Sequence, residues 1–366
     1  MSSYVSPADL VSTIGNWYHA IIRRDVEAAT RLKKVVEELM ARGKIDEEIE
    51  LYYELTDFRH MMITENISEG EAYRKIDKLQ DLGKVNVNST FRSLQNYIYG
   101  HFEFLQGSYI KAIRYYQETE FELNQLSDPF EKADFYQRMG ETYYRIDQYV
   151  SSIYYLEKSF SIFNENPLFE ERALNSLLLL GCVYSEMRET DEAKELFDRV
   201  LNSSKSYPTL HSLALRNIGL SLLQSNHLKS AKRNFLEALE TGGHKNSAEG
   251  MKTKYNISLI CFRLDDYEEG LNYLNIAMYE ADKYHSTEYI ARCKIVQNLY
   301  VKKDLAVVIE GLNQLEANNL YFECAEMSNE VSYYMERVGE NEQAFSFLKK
   351  SLEYRNFQLK SRSDIS

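Results

Sequence analysis

The sequence predicts an all-α protein, an N-terminal three-helix bundle followed by a superhelix of paired helices. Three observations carry this. First, small residues recur in pairs twelve positions apart: Gly100 with Ala112, Gly140 with Ser152, Gly181 with Ala193, Gly219 with Ala231, Ser258 with Gly270 and Ser332 with Ala344. The leading members Gly100, Gly140, Gly181, Gly219 and Ser258 are separated by 40, 41, 38 and 39 residues, a fixed period that marks stacked helical hairpins. Second, the 366 residues include only 4 prolines and 15 glycines, few enough for a mostly helical chain. Third, the first 65 residues lie outside the repeats and carry helical apolar spacing of their own.

In chain order, Ser6-Pro7 opens a first helix to about Arg24, with proline at a favourable first-turn position. Leu10, Ile14, Trp17 and Ile21 form its apolar face, Trp17 in the core and Tyr18 at the edge. Asp25 is placed to cap a second helix, Val26 to Ala41, ended by Gly43. Asp46 is placed to cap a third, running to about Thr64. Residues 1–65 are expected to close into one bundle. Residues 66–89 read as a hinge: a short amphipathic piece, Ala72 to Leu82, then the polar, turn-prone stretch Gly83 to Ser89. The repeats occupy 90–354, with a weaker unit around Ile295 to Gly311, and 355–366 reads as a polar, frayed tail.

Within the repeats, a glycine on one helix and a small residue on the next let the two backbones approach. Four positions after the second small residue stand Tyr116, Leu156, Phe197, Phe235, Leu274 and Leu348, bulky residues that would fill the hairpin. This is the tetratricopeptide pattern, with longer units than usual. Repeats of this kind build binding surfaces, and each needs only its neighbours for a core.

Composition narrows the function. The formal net charge is −13, from 56 acidic and 43 basic residues, which disfavours nucleic-acid binding and suits basic partners. Cys182, Cys261, Cys293 and Cys324 are isolated, without CxxC spacing, and read as small core residues of a reducing compartment. No signal-peptide pattern opens the chain and no apolar run approaches a membrane span, so the expected location is the cytoplasm.

Chemistry is sparse. GxGxxG, GxxxxGK[ST], HExxH and GxSxG are absent, and the seven histidines share no helix face, so no metal site is expected. The dense segment is Ile45 to His60. There Ile49, Tyr52, Tyr53 and Phe58 are expected to face the bundle, and Asp46, Glu47, Glu50 and Asp57 to face out as an acidic surface.

Asn16-Trp17-Tyr18, Tyr52-Tyr53 with Phe58-Arg59-His60, and Asp128 to Phe135, set in a bundle–hinge–repeat order, resemble the Rap family of Bacillus quorum-sensing regulators. The resemblance covers essentially the whole chain. It implies a bundle that binds a bacterial response regulator, through its receiver or its DNA-binding domain. Some members remove the phosphoryl group from the regulator's aspartate; others sequester a DNA-binding regulator without chemistry. It also implies a short secreted signalling peptide, the Phr type, that binds the repeats, pulls the bundle into the array and releases the target.

The resemblance assigns residues. Asp46, Glu50 and Asp57 would dock the target. The family generally has Asp-Gln where this chain has Asp46-Glu47, and the glutamine positions the attacking water. A carboxylate at 47 would face an aspartyl phosphate, and two like charges about 4 Å apart cost roughly 1–4 kcal/mol. Glu47 as a catalytic residue is therefore expected to give weak phosphatase activity or none. Asn217, two positions before Gly219, matches the asparagine that clamps the peptide backbone, because an amide offers donor and acceptor together. Glu186, one repeat earlier, matches an acidic peptide contact that is more often Asp. No cofactor of its own is expected; a receiver-domain target would bring magnesium. A homodimer through a terminal repeat is a further candidate partner, and a plain repeat scaffold without peptide is the remaining reading.

Overall fold

A computed structural model describes residues 6–42, 45–64, 69–82, 89–122 and 128–363. Among these there is no strand, and the chain divides into two compact units, Met1–Leu196 and Phe197–Ser366.

The first unit opens with α1 (Pro7–Ile22), α2 (Val26–Met40) and α3 (Glu47–Thr64). The expected caps are in place. Ser6 accepts from the Asp9 amide, Asp25 from that of Ala28 at 2.9 Å, and Asp46 from that of Ile49 at 2.9 Å. Each satisfies one of the donors that a helix start leaves without a partner. Leu10, Ile14, Trp17 and Ile21 bury against Ala29, Val36 and Ile49, as their spacing requires. The expected stop at Gly43 lies outside the described residues. So do residue 65 and residues 66–68 and 83–88 of the expected hinge; between the two hinge stretches runs α4 (Glu69–Leu82), longer than the predicted piece, with Ala72 and Leu79 fully buried.

Helical hairpins follow: α5 (Ser89–Leu105) with α6 (Tyr109–Glu122), then α7 (Pro129–Arg145) with α8 (Tyr149–Phe163), then α9 (Glu170–Glu186). α10 (Thr190–Ser203) spans the division between the units. The second unit pairs α11 (Pro208–Gln224) with α12 (Leu228–Leu239), α13 (Ala248–Arg263) with α14 (Tyr267–Lys283), α15 (Thr287–Val296) with α16 (Leu305–Ala317), and α17 (Tyr321–Arg337) with α18 (Asn341–Ser363). The weaker unit differs from the rest by a π-helical turn, Gln297–Lys302, between its helices. The residues to 363 expected as a frayed tail continue α18 as helix.

The reason for the small residues is more specific than backbone approach. A Cβ on Gly100 would stand 2.5 Å from the Tyr116 ring, on Gly140 2.6 Å from Leu156, and on Gly219 2.6 Å from Phe235. Each glycine thus makes room for the bulky residue sixteen positions later, and Tyr116, Leu156 and Phe235 are all fully buried. Two of the paired serines donate across the hairpin, Ser152 to the Gly140 carbonyl and Ser332 to the Ala344 carbonyl, both at 2.7 Å, whereas Ser258 donates within its own helix to the Tyr255 carbonyl at 2.8 Å. A methyl group at Gly140 must displace Leu156 in a full core. Gly140→Ala is expected to cost about 1–3 kcal/mol through overpacking, read as a lower denaturation midpoint with unchanged slope.

The turns share a second regularity. Seven residues after each leading small residue stands a left-handed residue: Gly107, Asp147, Arg188, Asn226, Asp265 and Gly339. The next amide then reaches back to the helix, as Gln148 does to the Tyr143 carbonyl at 2.9 Å and His227 to that of Leu222 at 2.8 Å. Only two of the six are glycine, so residue type alone does not reveal the turn.

Candidate regulatory site

α3 carries the expected acidic surface, and the structure sorts it into two groups. Glu47 is exposed in the first turn of α3 and makes no ion pair among the described residues. A carboxylate there is favoured by the helix dipole. Asp46 is exposed too, its carboxylate holding the cap; Glu50 is half-buried, 3.4 Å from Lys78. Asp57 overturns the expectation that it faces out. It is buried, and Lys33 of α2 and Lys75 of α4 each donate to it at 2.5 Å. Burial alone would raise its pKa, but the two ammonium groups hold it below the usual carboxylate range. Glu54, also buried, receives Lys75 and Lys78 at 2.8 Å each. These carboxylates therefore staple α2 and α4 onto α3 rather than offer a docking surface.

The other face of the bundle is docked on the first hairpins through buried polar groups. Asp134 of α7, 1% exposed, receives Arg59 of α3, Arg172 of α9 at 2.5 Å, and the Tyr97 hydroxyl of α5. Arg172 also donates to Gln137 and to the backbone carbonyl of Ile22, the last residue of α1. Arg59 donates to the hydroxyl of Tyr18, which itself donates to Glu131 at 2.8 Å. At the rim His19 lies 3.0 Å from Asp128, the cap of α7. Behind this network Trp17 donates to His60 Nδ1 at 3.1 Å.

Charge explains the arrangement. Burial alone would raise the Asp134 pKa, but the guanidinium groups of Arg59 and Arg172 hold it well below the carboxylate range. Glu131, largely desolvated and without a guanidinium of its own, is pushed up. Arg24, half-buried, is pulled down to about 9 by desolvation first and then by Arg172 and Arg138. The residues that mark the family resemblance, Trp17-Tyr18, Phe58-Arg59-His60 and Asp128 to Phe135, thus meet at one junction. Reading Tyr18 as an edge residue is corrected: it is 4% exposed and central to the network. Arg172 had no sequence signal, because one arginine in a helix reads as surface.

His101 of α5 lies nearby, buried, with Nδ1 unpartnered, and burial pushes its pKa well below the usual value. A depressed histidine stays neutral in the folded state while the unfolded chain takes up a proton. Stability from this group is therefore full above about pH 6.5 and falls by up to about 1.4 kcal/mol per pH unit below that, until the folded group also titrates. Denaturant unfolding of His101→Leu at pH 7.5 and 5.5 is expected to show a shallower loss on acidification than the parent chain.

The two expected peptide contacts lie in different units. Glu186 ends α9 in the first, near the Tyr144 hydroxyl, whose pKa is raised by burial first, then by Cys182 and Glu186. Asn217 lies mid-helix in α11 of the second, half-buried, and its amide has no partner among the described residues. A cavity of about 330 Å³ in the second unit, lined by Asn298, Lys303, Tyr334 and Glu340 among others, contains neither. One cluster has metal-ligand chemistry, Cys261, Asp266 and Glu269, but the Lys232 ammonium stands among them and donates to Glu269. None of the four cysteines is in a disulfide bond; Cys293 and Cys324 are buried and Cys182 half-buried. No helix among the described residues is long and apolar enough to cross a membrane.

Comparison with known proteins accords with this geometry. The family model described as response regulator aspartate phosphatase H, N terminal, matches residues 4–65, which hold the three bundle helices, α1 and α3 of the junction among them. The chain belongs to the Rap family. A tetratricopeptide repeat model matches residues 174–207. Response regulator aspartate phosphatase I of Bacillus subtilis (strain 168) is 25% identical over 362 residues, spanning 95% of this chain and 91% of that protein. The crystal structure of a Rap protein complexed with competence and sporulation factor superposes with a TM-score of 0.87 at 18% identity, over 96% of this chain and 99% of that one. A protein named type II methyltransferase M.CeqI, from Rhodococcus hoagii, is 34% identical over 364 residues, 97% of this chain but 69% of that protein. About three tenths of M.CeqI thus lies outside the match.

Proposed function

We propose that this Rap chain is a peptide-controlled regulator of a bacterial response regulator. The bundle holds the target when it is released from the hairpins; a short peptide bound to the repeat helices favours the docked bundle and frees the target. The observation that carries this reading is the junction itself. Tyr18, Arg59 and the Ile22 carbonyl of the bundle find their partners on α5, α7 and α9, so docking and release differ by a discrete set of buried polar contacts. A ligand with higher affinity for the docked state shifts that balance, and the unpartnered amide of Asn217 suits a peptide backbone. The acidic chain suits a basic peptide.

Two outcomes at the target follow. Glu47 is exposed with no cation to neutralise it, which favours sequestration without rapid dephosphorylation. The family description as an aspartate phosphatase supports the second outcome, hydrolysis of the aspartyl phosphate, with magnesium carried by the receiver domain. The test is decay of a phosphorylated receiver domain in the presence of the parent chain and of Glu47→Gln. The charge argument expects little acceleration from the parent and at least about five-fold more from the variant, the low end of the 1–4 kcal/mol repulsion. Equal, fast rates from both would refute it.

A further inference from the structure

The cavity of about 330 Å³ in the second unit is lined in part by the π-helical turn Gln297–Lys302. Short π turns within helices are frequent at functional sites, because they re-aim side chains that a regular helix would place elsewhere. Here the turn carries Asn298 and Leu299 to the cavity wall, and the chain leaves it at Lys303, whose backbone is left-handed (φ 56°). Leu299, Val308 and Met335, all buried, supply an apolar wall together with half-buried Leu305. Five polar side chains supply the rest: Asn298, Lys303, Tyr334, Glu340 and Gln343.

These polar groups are uncommitted. Asn298 is 4% exposed; its Nδ2 donates to the Lys294 carbonyl at 2.8 Å, while its Oδ1 accepts from no group among the described residues. A buried acceptor left without a donor is costly, and in folded proteins such groups are ordinarily satisfied. The Tyr334 hydroxyl, half-buried at the same wall, also has no partner among the described residues. Lys303 and Glu340, both exposed, bring opposite charges to one cavity yet form no ion pair with each other or with any other described group. Opposite charges that share a cavity without meeting suit a ligand that carries both, and the apolar wall suits an uncharged side chain on that ligand. We propose that this cavity binds a free α-amino acid with an apolar side chain. The ligand carboxylate meets the Lys303 ammonium. The ligand ammonium meets the Glu340 carboxylate and donates to Asn298 Oδ1. The ligand side chain lies against Leu299, Val308 and Met335. The cavity stands at the small end of the ~300–1,000 Å³ range of ligand pockets, which leaves room for one residue rather than an extended peptide. Neither Glu186 nor Asn217 lines it, so the proposal is independent of peptide control.

The test is calorimetry of the full chain with leucine, isoleucine, methionine and phenylalanine, backed by saturation-transfer NMR for weak binding. At least one is expected to bind with a Kd between about 10 μM and 1 mM, the range open to a ligand of so few non-hydrogen atoms. The N-acetyl and carboxamide derivatives of the tightest binder each lack one charge, and each is expected to bind at least about ten-fold more weakly. Lys303→Gly removes the ammonium and eases the left-handed backbone; Glu340→Gln is an exposed, isosteric change. Both variants are expected to keep the fold, checked by circular dichroism, and each to weaken binding at least about ten-fold. No binding of any of the four amino acids at about 10 mM overturns the proposal. So does an affinity unchanged in either variant, or a derivative that binds as tightly as its parent amino acid, which would leave the cavity to a ligand of single charge.

Discussion

Asp134→Ala is expected to destabilise the docked first unit by about 3–5 kcal/mol. The substitution leaves Arg59 and Arg172 desolvated with no counter-charge, and an uncompensated buried charge costs far more than the pair contributes. The molecule has one inexpensive escape, release of the bundle, which returns both guanidinium groups to water. Two readouts separate the outcomes. Unfolding in place appears as a lower melting temperature with unchanged low-temperature scattering. Release appears as a larger radius of gyration in the folded state, with weakened peptide response. An unchanged melting temperature and radius of gyration would remove Asp134 from its central role. Because the folded pKa of Asp134 is depressed, its contribution is complete above the unfolded carboxylate value near 4 and is lost as pH falls through the folded one. Replacing Arg59, Asp134 and Arg172 together by apolar residues of similar volume is expected to recover most of the stability, since a satisfied apolar junction needs no counter-charge.

Asn217→Ala is expected to weaken peptide binding about 10- to 100-fold while leaving target binding intact. A side-chain amide that pairs with a peptide unit contributes one donor and one acceptor, and losing both from a half-buried position costs about 1.5–3 kcal/mol. Calorimetry with a short basic peptide, first selected by screening against the parent chain, measures the change. Asn217→Asp keeps the acceptor and replaces the donor, so it is expected to fall between parent and alanine if both halves of the amide are used. Unchanged affinity in both variants would place the peptide elsewhere.

The hairpin register was legible in the chain because close contact leaves little choice of residue. Gly100, Gly140 and Gly219 each face a bulky side chain sixteen positions on, and no Cβ fits. The bundle helices were legible because caps and apolar spacing are local: Ser6, Asp25 and Asp46 act within four residues of themselves. The turns were not, because Asp147, Arg188, Asn226 and Asp265 adopt the conformation that glycine would have advertised. Asp57 was misplaced for a different reason. A carboxylate in an acidic helix reads as surface, and the lysines that bury it come from α2 and α4.

From the chain alone come the helical period, the bundle, the absence of catalytic signatures and the family resemblance, all consequences of contacts within about forty residues. Only the folded molecule joined Arg59 to Asp134, 75 positions away, and Arg172 to the Ile22 carbonyl, 150 positions away. Only there did Leu348 turn outward. A charged side chain is costly to bury by itself and inexpensive once paired, and its partner is chosen by packing, which no local pattern encodes.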